Sequence, residues 1–119
     1  DIEEDPYLSF EDNFFDAVPL LAVVEHLSLK SVSILFKEIY KVLKAEGVLI
    51  VTTPHKRIGG LLEFSSRIGM VSKEEIAEHK KLYTPGELCG MLSKAGFSPR
   101  GIESGYFELG LNIWIKCMK

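Results

Sequence analysis

The sequence is poor in the features that define several large classes of protein. It has two cysteines, Cys89 and Cys117, in 119 residues. That is too few for a disulfide framework and favours a reducing, cytoplasmic setting. Its apolar stretch AVPLLAVV stops at Glu25-His26 and is too short to cross a bilayer. The net charge is −3 and the lysines and arginines are scattered, so the basic face needed to bind nucleic-acid phosphates is missing. We therefore expect no membrane partner and no nucleic-acid partner.

The sequence also has no motif for a phosphate-binding loop and none for the strained turn that carries a nucleophilic serine. None of the ten glycines fits a GxGxxG fingerprint or a P-loop, and no serine lies in a GxSxG motif. What remains is an ordinary globular composition, with 46% hydrophobic and 26% charged residues. We expect residues 1–119 to form a single domain, because a chain of this length can bury one core.

The clearest pattern is a strand, a helix and a second strand. The near-continuous apolar run 15–24 predicts a strand buried on both faces, although Pro19 is unusual in its middle. A helix capped by Ser31 is expected next, because apolar residues recur every three or four positions. Gly47 is expected to turn the chain in a left-handed conformation, and VLIVTT (48–53) to form a second buried strand. This order is a βαβ unit, which places the two strands parallel.

The second half of the sequence predicts a helix and a hairpin. Thr84-Pro-Gly-Glu87 has the spacing of a capping box, with proline at the favoured first position of a helix that ends at Gly96. After it, apolar residues alternate with polar ones on both sides of a turn at 108–110. Both predictions come from local patterns alone.

Polar residues follow both strands of the βαβ unit. The first strand leads into Glu25-His26 and the second into Pro54-His55. Ligands of open parallel sheets bind beyond the carboxyl ends of the strands, so these side chains are candidates for one site. The alternative is that Pro54 simply ends the strand and that His55 is a surface residue.

Three histidines, His26, His55 and His79, raise the question of a metal site. The sequence has neither the HxxxH nor the CxxC spacing of common zinc sites. For His79, a position near a helix C-terminus, where the helix dipole favours a charged imidazole, is the competing interpretation. We expect no bound metal, and keep a metal-dependent hydrolase using His26, His55 and Glu25 as an alternative.

Four blocks of the sequence resemble the C-terminal half of class I S-adenosylmethionine-dependent methyltransferases that act on small molecules. The blocks are LSFEDNFFDAV (8–18), VVEHL (23–27), LFKEIYKVLKAEGVLIVTTPH (35–55) and HKKLYTPGELCGMLSKAGF (79–97). The resemblance implies an α/β fold, the C-terminal half of a Rossmann-like sheet. Its strands would follow the order 4-5-7-6, with the last strand antiparallel and helices flanking the sheet.

The resemblance also implies a set of site residues. Asp1 and Ile2 match the segment that holds the adenine of S-adenosylmethionine in the family. Leu21 and Ala22 match the strand end beside the sulfonium of the cofactor, and His26 is then a candidate general base. The remaining implied contacts concern the small-molecule acceptor: Glu25, His55, His79 and Tyr83. The last two belong to residues 56–83, which resemble the variable insertion that covers the substrate.

One departure from the family is decisive for the expected activity. The glycine-rich cofactor loop and the acidic residue that binds ribose would precede Asp1 and are not in the sequence. We expect residues 1–119 to be a partial methyltransferase domain, inactive alone, whose activity requires the N-terminal half. Its first strand would have an exposed edge open to a homodimer. A non-catalytic, dimerising half-domain is therefore the first alternative.

Overall fold

The computed structural model describes residues 4–55 and 82–119. They form a four-stranded sheet with two helices on it. The elements are β1 (Phe15–Leu21), α1 (Leu29–Val42), β2 (Leu43–Pro54), α2 (Pro85–Ala95), β3 (Ile102–Phe107) and β4 (Asn112–Met118). The strand order is β1-β2-β4-β3, with β1 parallel to β2 and the other pairs antiparallel. The predicted order 4-5-7-6 and the predicted βαβ unit are confirmed.

Helix α1 begins earlier than its apolar stripe. The cap is Ser28, whose side chain accepts a hydrogen bond from the backbone N–H of Ser31, so the prediction of Ser31 as the cap was wrong. The first turn carries the exposed Leu29, whereas the buried stripe starts with Ser31 and Val32. Because burial begins one turn inside the helix, the apolar periodicity could not reveal the true start.

The turn between α1 and β2 also differs from the prediction. Glu46, with a φ of 68°, and not Gly47, takes the left-handed conformation. Gly47 is needed for a different reason, since a Cβ atom there would lie 2.8 Å from the carbonyl oxygen of Lys44. The glycine therefore permits a close backbone approach at the point where the strand register shifts.

Helix α2 matches its predicted ends. Thr84 caps it by accepting a hydrogen bond from the backbone N–H of Glu87, and Pro85 opens the first turn. Gly96 ends it with a φ of 126°. The predicted hairpin is confirmed as β3 and β4, which are joined by a turn at Glu108–Leu111.

The core lies on one face of the sheet. Residues 49, 51 and 53 of β2 are buried, whereas residues 48, 50 and 52 on the opposite face are partly or fully exposed. The buried face packs against α1 and α2 in a continuous apolar cluster. The expectation that both strands are buried on two faces was wrong, because the described residues supply helices to one face only.

Pro19 fits into β1 because of the direction its nitrogen faces. Ala22 donates its N–H to Thr52 of β2. Backbone groups alternate along a strand, so the nitrogen at position 19 faces away from β2. That side of β1 is the edge of the sheet within the described residues, where proline removes no ladder hydrogen bond.

Candidate functional site

The site begins where β1 ends and the chain bends over β2. The predicted strand 15–24 stops at Leu21, because Ala22 has a φ of 56° and donates its N–H to Thr52. A 3₁₀ turn, Val24–His26, follows and carries Glu25 toward the end of β2. The turn therefore brings the ends of the two parallel strands together, as the βαβ topology predicts.

Glu25 is the buried charge of this region. Its side chain is 2% exposed, and its Oε1 accepts a hydrogen bond of 3.0 Å from the hydroxyl of Thr53. Its Oε2 lies 3.8 Å from Nε2 of His26. A buried carboxylate is costly unless it is partnered, so these two contacts explain why Glu25 can turn inward.

His26 lies at the border between Glu25 and solvent. Its side chain is 54% exposed, yet one ring nitrogen, Nε2, faces the buried carboxylate. Nδ1 is on the other side of the ring and is not part of that contact. About half of the imidazole side chain is therefore open to solvent while Nε2 faces Glu25.

His55 and Tyr83 meet at the end of β2. The two residues form a parallel β-bridge, and His55 also donates its N–H to the carbonyl of Leu111. The His55 ring packs edge-to-face on Tyr106, with 5.4 Å between ring centroids. His55 and Tyr83, which flank residues 56–81 in the sequence, are therefore neighbours at the end of β2.

Tyr83 places a neutral hydroxyl in this region. Its side chain is fully buried, and its hydroxyl has no hydrogen-bond partner among the residues that the structure describes. Burial raises the pKa of Tyr83 to about 12, with smaller contributions from the negative charges of Glu87 and Glu25. The hydroxyl therefore remains a protonated donor at neutral pH.

The structure places the candidate residues as follows. Glu25, His26, His55 and Tyr83 all lie at the carboxyl ends of β1 and β2. Leu21 ends β1, where it is 59% exposed, and Ala22 follows it. Asp1, Ile2, His79 and most of the segment 56–83 lie outside the described residues. The roles of all these residues stay predictions.

Two residues of the site had not been picked out from the sequence. Thr53 holds Glu25, and Tyr106 packs on His55. A signal existed for Thr53, because alternation from Leu49 and Val51 places it on the core face, where a hydroxyl needs a partner. Tyr106 is far along the sequence and meets the site only through strand pairing, so no local pattern could reveal it.

Metal ligands do not cluster in the parts of the chain that are described. Residues 4–55 and 82–119 contain no group of three or more His, Cys, Asp or Glu side chains that could hold a metal ion. Within the same ranges, no helix is long and apolar enough to cross a membrane.

Comparison with known proteins bears on the whole arrangement. The family model described as a methyltransferase domain matches residues 1–51, which include β1, α1 and most of β2. No curated protein sequence matches significantly.

Solved structures extend the similarity beyond residue 51. The similarity to a SAM-dependent methyltransferase from Archaeoglobus fulgidus covers 100% of this chain and 65% of the methyltransferase chain, with a TM-score of 0.74 and 18% sequence identity. The similarity to one from Thermotoga maritima covers 96% of this chain and 60% of the other, with a TM-score of 0.71 and 21% sequence identity. The similarity to a third, from Methanosarcina mazei, covers 96% of this chain and 63% of the other, with a TM-score of 0.70 and 18% sequence identity.

This chain therefore spans less than two thirds of the length of these three structures. At such identities the likeness establishes the fold. Residues 1–51 match the methyltransferase-domain family, and the described residues have the Rossmann-like fold of the corresponding part of class I S-adenosylmethionine-dependent methyltransferases.

Proposed function

We propose that this chain forms the acceptor side of an S-adenosylmethionine-dependent methyltransferase that acts on a small molecule. The observation that carries the proposal is the set of polar groups at the carboxyl ends of β1 and β2, in a chain with this fold. In open α/β sheets this edge is where ligands bind. The family match at residues 1–51 supports S-adenosylmethionine as the cofactor.

The described residues fit one part of that cofactor. The exposed Leu21 side chain at the end of β1 offers an apolar surface, and the left-handed Ala22 turns the following chain away from it. We assign Leu21 and Ala22 to the sulfonium end of the cofactor, and Asp1 and Ile2 to its adenine. When bound, S-adenosylmethionine supplies an electrophilic methyl group, so the protein mainly has to align the acceptor.

His26 is the proposed general base. Its side chain is 54% exposed beside the strand end, where an acceptor hydroxyl or amine would lose its proton. Tyr83 would donate a hydrogen bond to the acceptor, and His55 would line the same pocket, with His79 as a further contact. Positioned bases of this kind contribute about 10²- to 10⁴-fold to rate.

We further propose that the 119 residues need the rest of a methyltransferase domain for activity. Two observations support this proposal. The sequence has no glycine-rich cofactor loop, and the matched structures are longer than the part this chain covers. The chain alone should then bind S-adenosylhomocysteine weakly or not at all.

The test uses the natural gene product that contains these residues. His26→Ala should lower the rate of transfer of a labelled methyl group from S-adenosylmethionine to a cell's small-molecule extract by about 10²-fold or more. The affinity for S-adenosylhomocysteine should stay nearly unchanged. An unchanged transfer rate would remove His26 from the mechanism.

A second candidate, a dimerising and non-catalytic module, is favoured by one observation. Among the described residues, the outer edge of β1 has no strand paired to it. Such an edge can pair with a second copy of the chain. A light-scattering mass of twice the chain, together with no cofactor binding by the natural gene product, would support this candidate over the enzyme. The metal-dependent hydrolase has no comparable support, because both carboxylate oxygens of Glu25 face protein groups.

A further inference from the structure

We infer that Glu25 is a positioning residue, which holds the imidazole of His26 and the end of β2 in place and does not itself contact the acceptor. The inference rests on the proposed function for the identity of the acceptor. Its physical content, a carboxylate that orients an imidazole, can be tested without any methyl transfer.

The carboxylate of Glu25 is turned toward the core. The side chain of Glu25 is 2% exposed and reaches back to β2, where its Oε1 accepts from the hydroxyl of Thr53. Thr53 is itself buried, so this hydrogen bond lies within the core and anchors the carboxylate. A carboxylate turned inward in this way has little surface left for a substrate.

The contact with Glu25 determines which ring nitrogen of His26 carries the proton. Nε2 faces Oε2 of Glu25 at 3.8 Å, a distance suited to an ion pair but longer than a hydrogen bond. Because a carboxylate only accepts, its field favours a proton on Nε2. Nδ1, which is not part of this contact, then carries the lone pair of a side chain that is 54% exposed.

In the reaction, this arrangement makes Nδ1 of His26 the proton acceptor. Nδ1 takes the proton of the acceptor, and the lone pair freed on the acceptor forms the bond to the methyl carbon. S-adenosylmethionine, when bound, would supply that methyl group, and its sulfur would keep the electron pair of the carbon–sulfur bond and lose its positive charge. The imidazolium that forms has its Nε2–H facing the carboxylate of Glu25.

The same carboxylate acts on a second site residue. The negative charge of Glu25 is among the causes that raise the pKa of Tyr83, after burial and the charge of Glu87. The charge of Glu25 therefore opposes ionisation of the Tyr83 hydroxyl. Glu25 thus contacts Thr53 and His26, and its charge acts on Tyr83.

The first experiment measures the tautomer of His26 by nitrogen-15 NMR of the imidazole, with the signal assigned by its loss in His26→Gln. In Glu25→Gln the amide can donate to Nε2 where the carboxylate could only accept. The fraction of His26 with its proton on Nδ1 should rise at least about twofold. An unchanged fraction would overturn the inference, even if the protein proved not to be a methyltransferase.

The second experiment is a double-mutant cycle on the natural gene product. Glu25→Gln should lower kcat about tenfold or more, because His26 then loses part of the rate enhancement that it supplies as a base. KM should change little. In a His26→Gln background the same substitution should have no further effect, since Glu25 acts through His26. Independent, multiplying effects would overturn the inference. Failure of all methyl transfer would instead count against the proposed function alone.

A third variant covers the case in which Glu25→Gln does not fold. Thr53→Val removes the hydroxyl that anchors Glu25 and leaves the carboxylate itself present. It should broaden or shift the His26 imidazole signals, whereas Thr53→Ser, which keeps the hydroxyl, should leave them near those of the unmodified chain. Identical spectra for Thr53→Val and the unmodified chain would contradict the inference.

Discussion

At the scale of single residues, the buried hydroxyl of Tyr83 sets a measurable pH limit on stability. The folded protein holds the pKa of Tyr83 at about 12, above the ordinary value of 10.0. A pKa that is raised on folding gives stability that is complete below the unfolded pKa and is lost as pH rises through the folded one. The pH window of this effect is therefore 10 to 12.

We predict that Tyr83→Phe flattens the loss of stability in that window. The unmodified chain should lose up to about 3 kcal/mol more of its free energy of unfolding between the two pKa values than the variant does. Urea unfolding across this pH range measures the difference. Tyr106→Phe, at an exposed tyrosine, is the matched control and should follow the unmodified chain. Parallel curves for Tyr83→Phe and the unmodified chain would contradict the prediction.

Thr53 carries a second prediction at this scale. Thr53→Val leaves the buried carboxylate of Glu25 without its hydroxyl donor, which should cost about 1–3 kcal/mol of unfolding free energy. Thr53→Ser keeps the donor and should cost less. Denaturant unfolding at neutral pH compares the two variants. Equal losses would mean that packing of the threonine methyl, and not the hydrogen bond, stabilises this position.

At the scale of elements, local signals predicted the helix ends that have local causes. Thr84, Pro85 and Gly96 were read correctly because capping, proline at the first turn and a glycine end are short-range effects. The starting residue of α1 was misread because burial begins a turn after Ser28. Gly47 was misread for a related reason, since its constraint is a contact with Lys44 and not its own φ.

We predict that the cap of α2 matters for folding as well as for helix start. Thr84→Ala should lower the free energy of unfolding by about 1 kcal/mol, because the N–H of Glu87 loses its partner. Thr84→Ser should retain most of the stability. Thermal unfolding followed by circular dichroism separates the two variants. A loss in the serine variant as large as in the alanine variant would show that the side-chain oxygen is not what stabilises the helix.

At the scale of the whole molecule, the topology was predictable and the one-sided burial was not. Right-handed crossover and the matched sequence blocks together lead to the order β1-β2-β4-β3. The apolar runs in β1 and β2 are typical of strands covered on both faces, yet Ile50 is 38% exposed. The apolar pattern does not distinguish one covered face from two, and residues 4–55 and 82–119 cover one face.

The uncovered edge gives a prediction for self-association. Ala17 is exposed on β1, and a lysine at an edge strand opposes pairing with another chain. We expect the unmodified chain to show a mass that rises with concentration in light scattering, and Ala17→Lys to remain nearer the monomer. Ser104→Lys, on the opposite edge strand β3, is the control and should still associate. Association unaffected by Ala17→Lys would exclude the β1 edge as the contact.

The central claim is that these residues belong to the acceptor side of an S-adenosylmethionine-dependent methyltransferase. Native mass spectrometry of the natural gene product that contains them, with and without S-adenosylhomocysteine, tests it most directly. We predict that the gene product retains one molecule of the ligand, while residues 1–119 alone retain none. A folded gene product that stays empty of ligand at every concentration would contradict the claim.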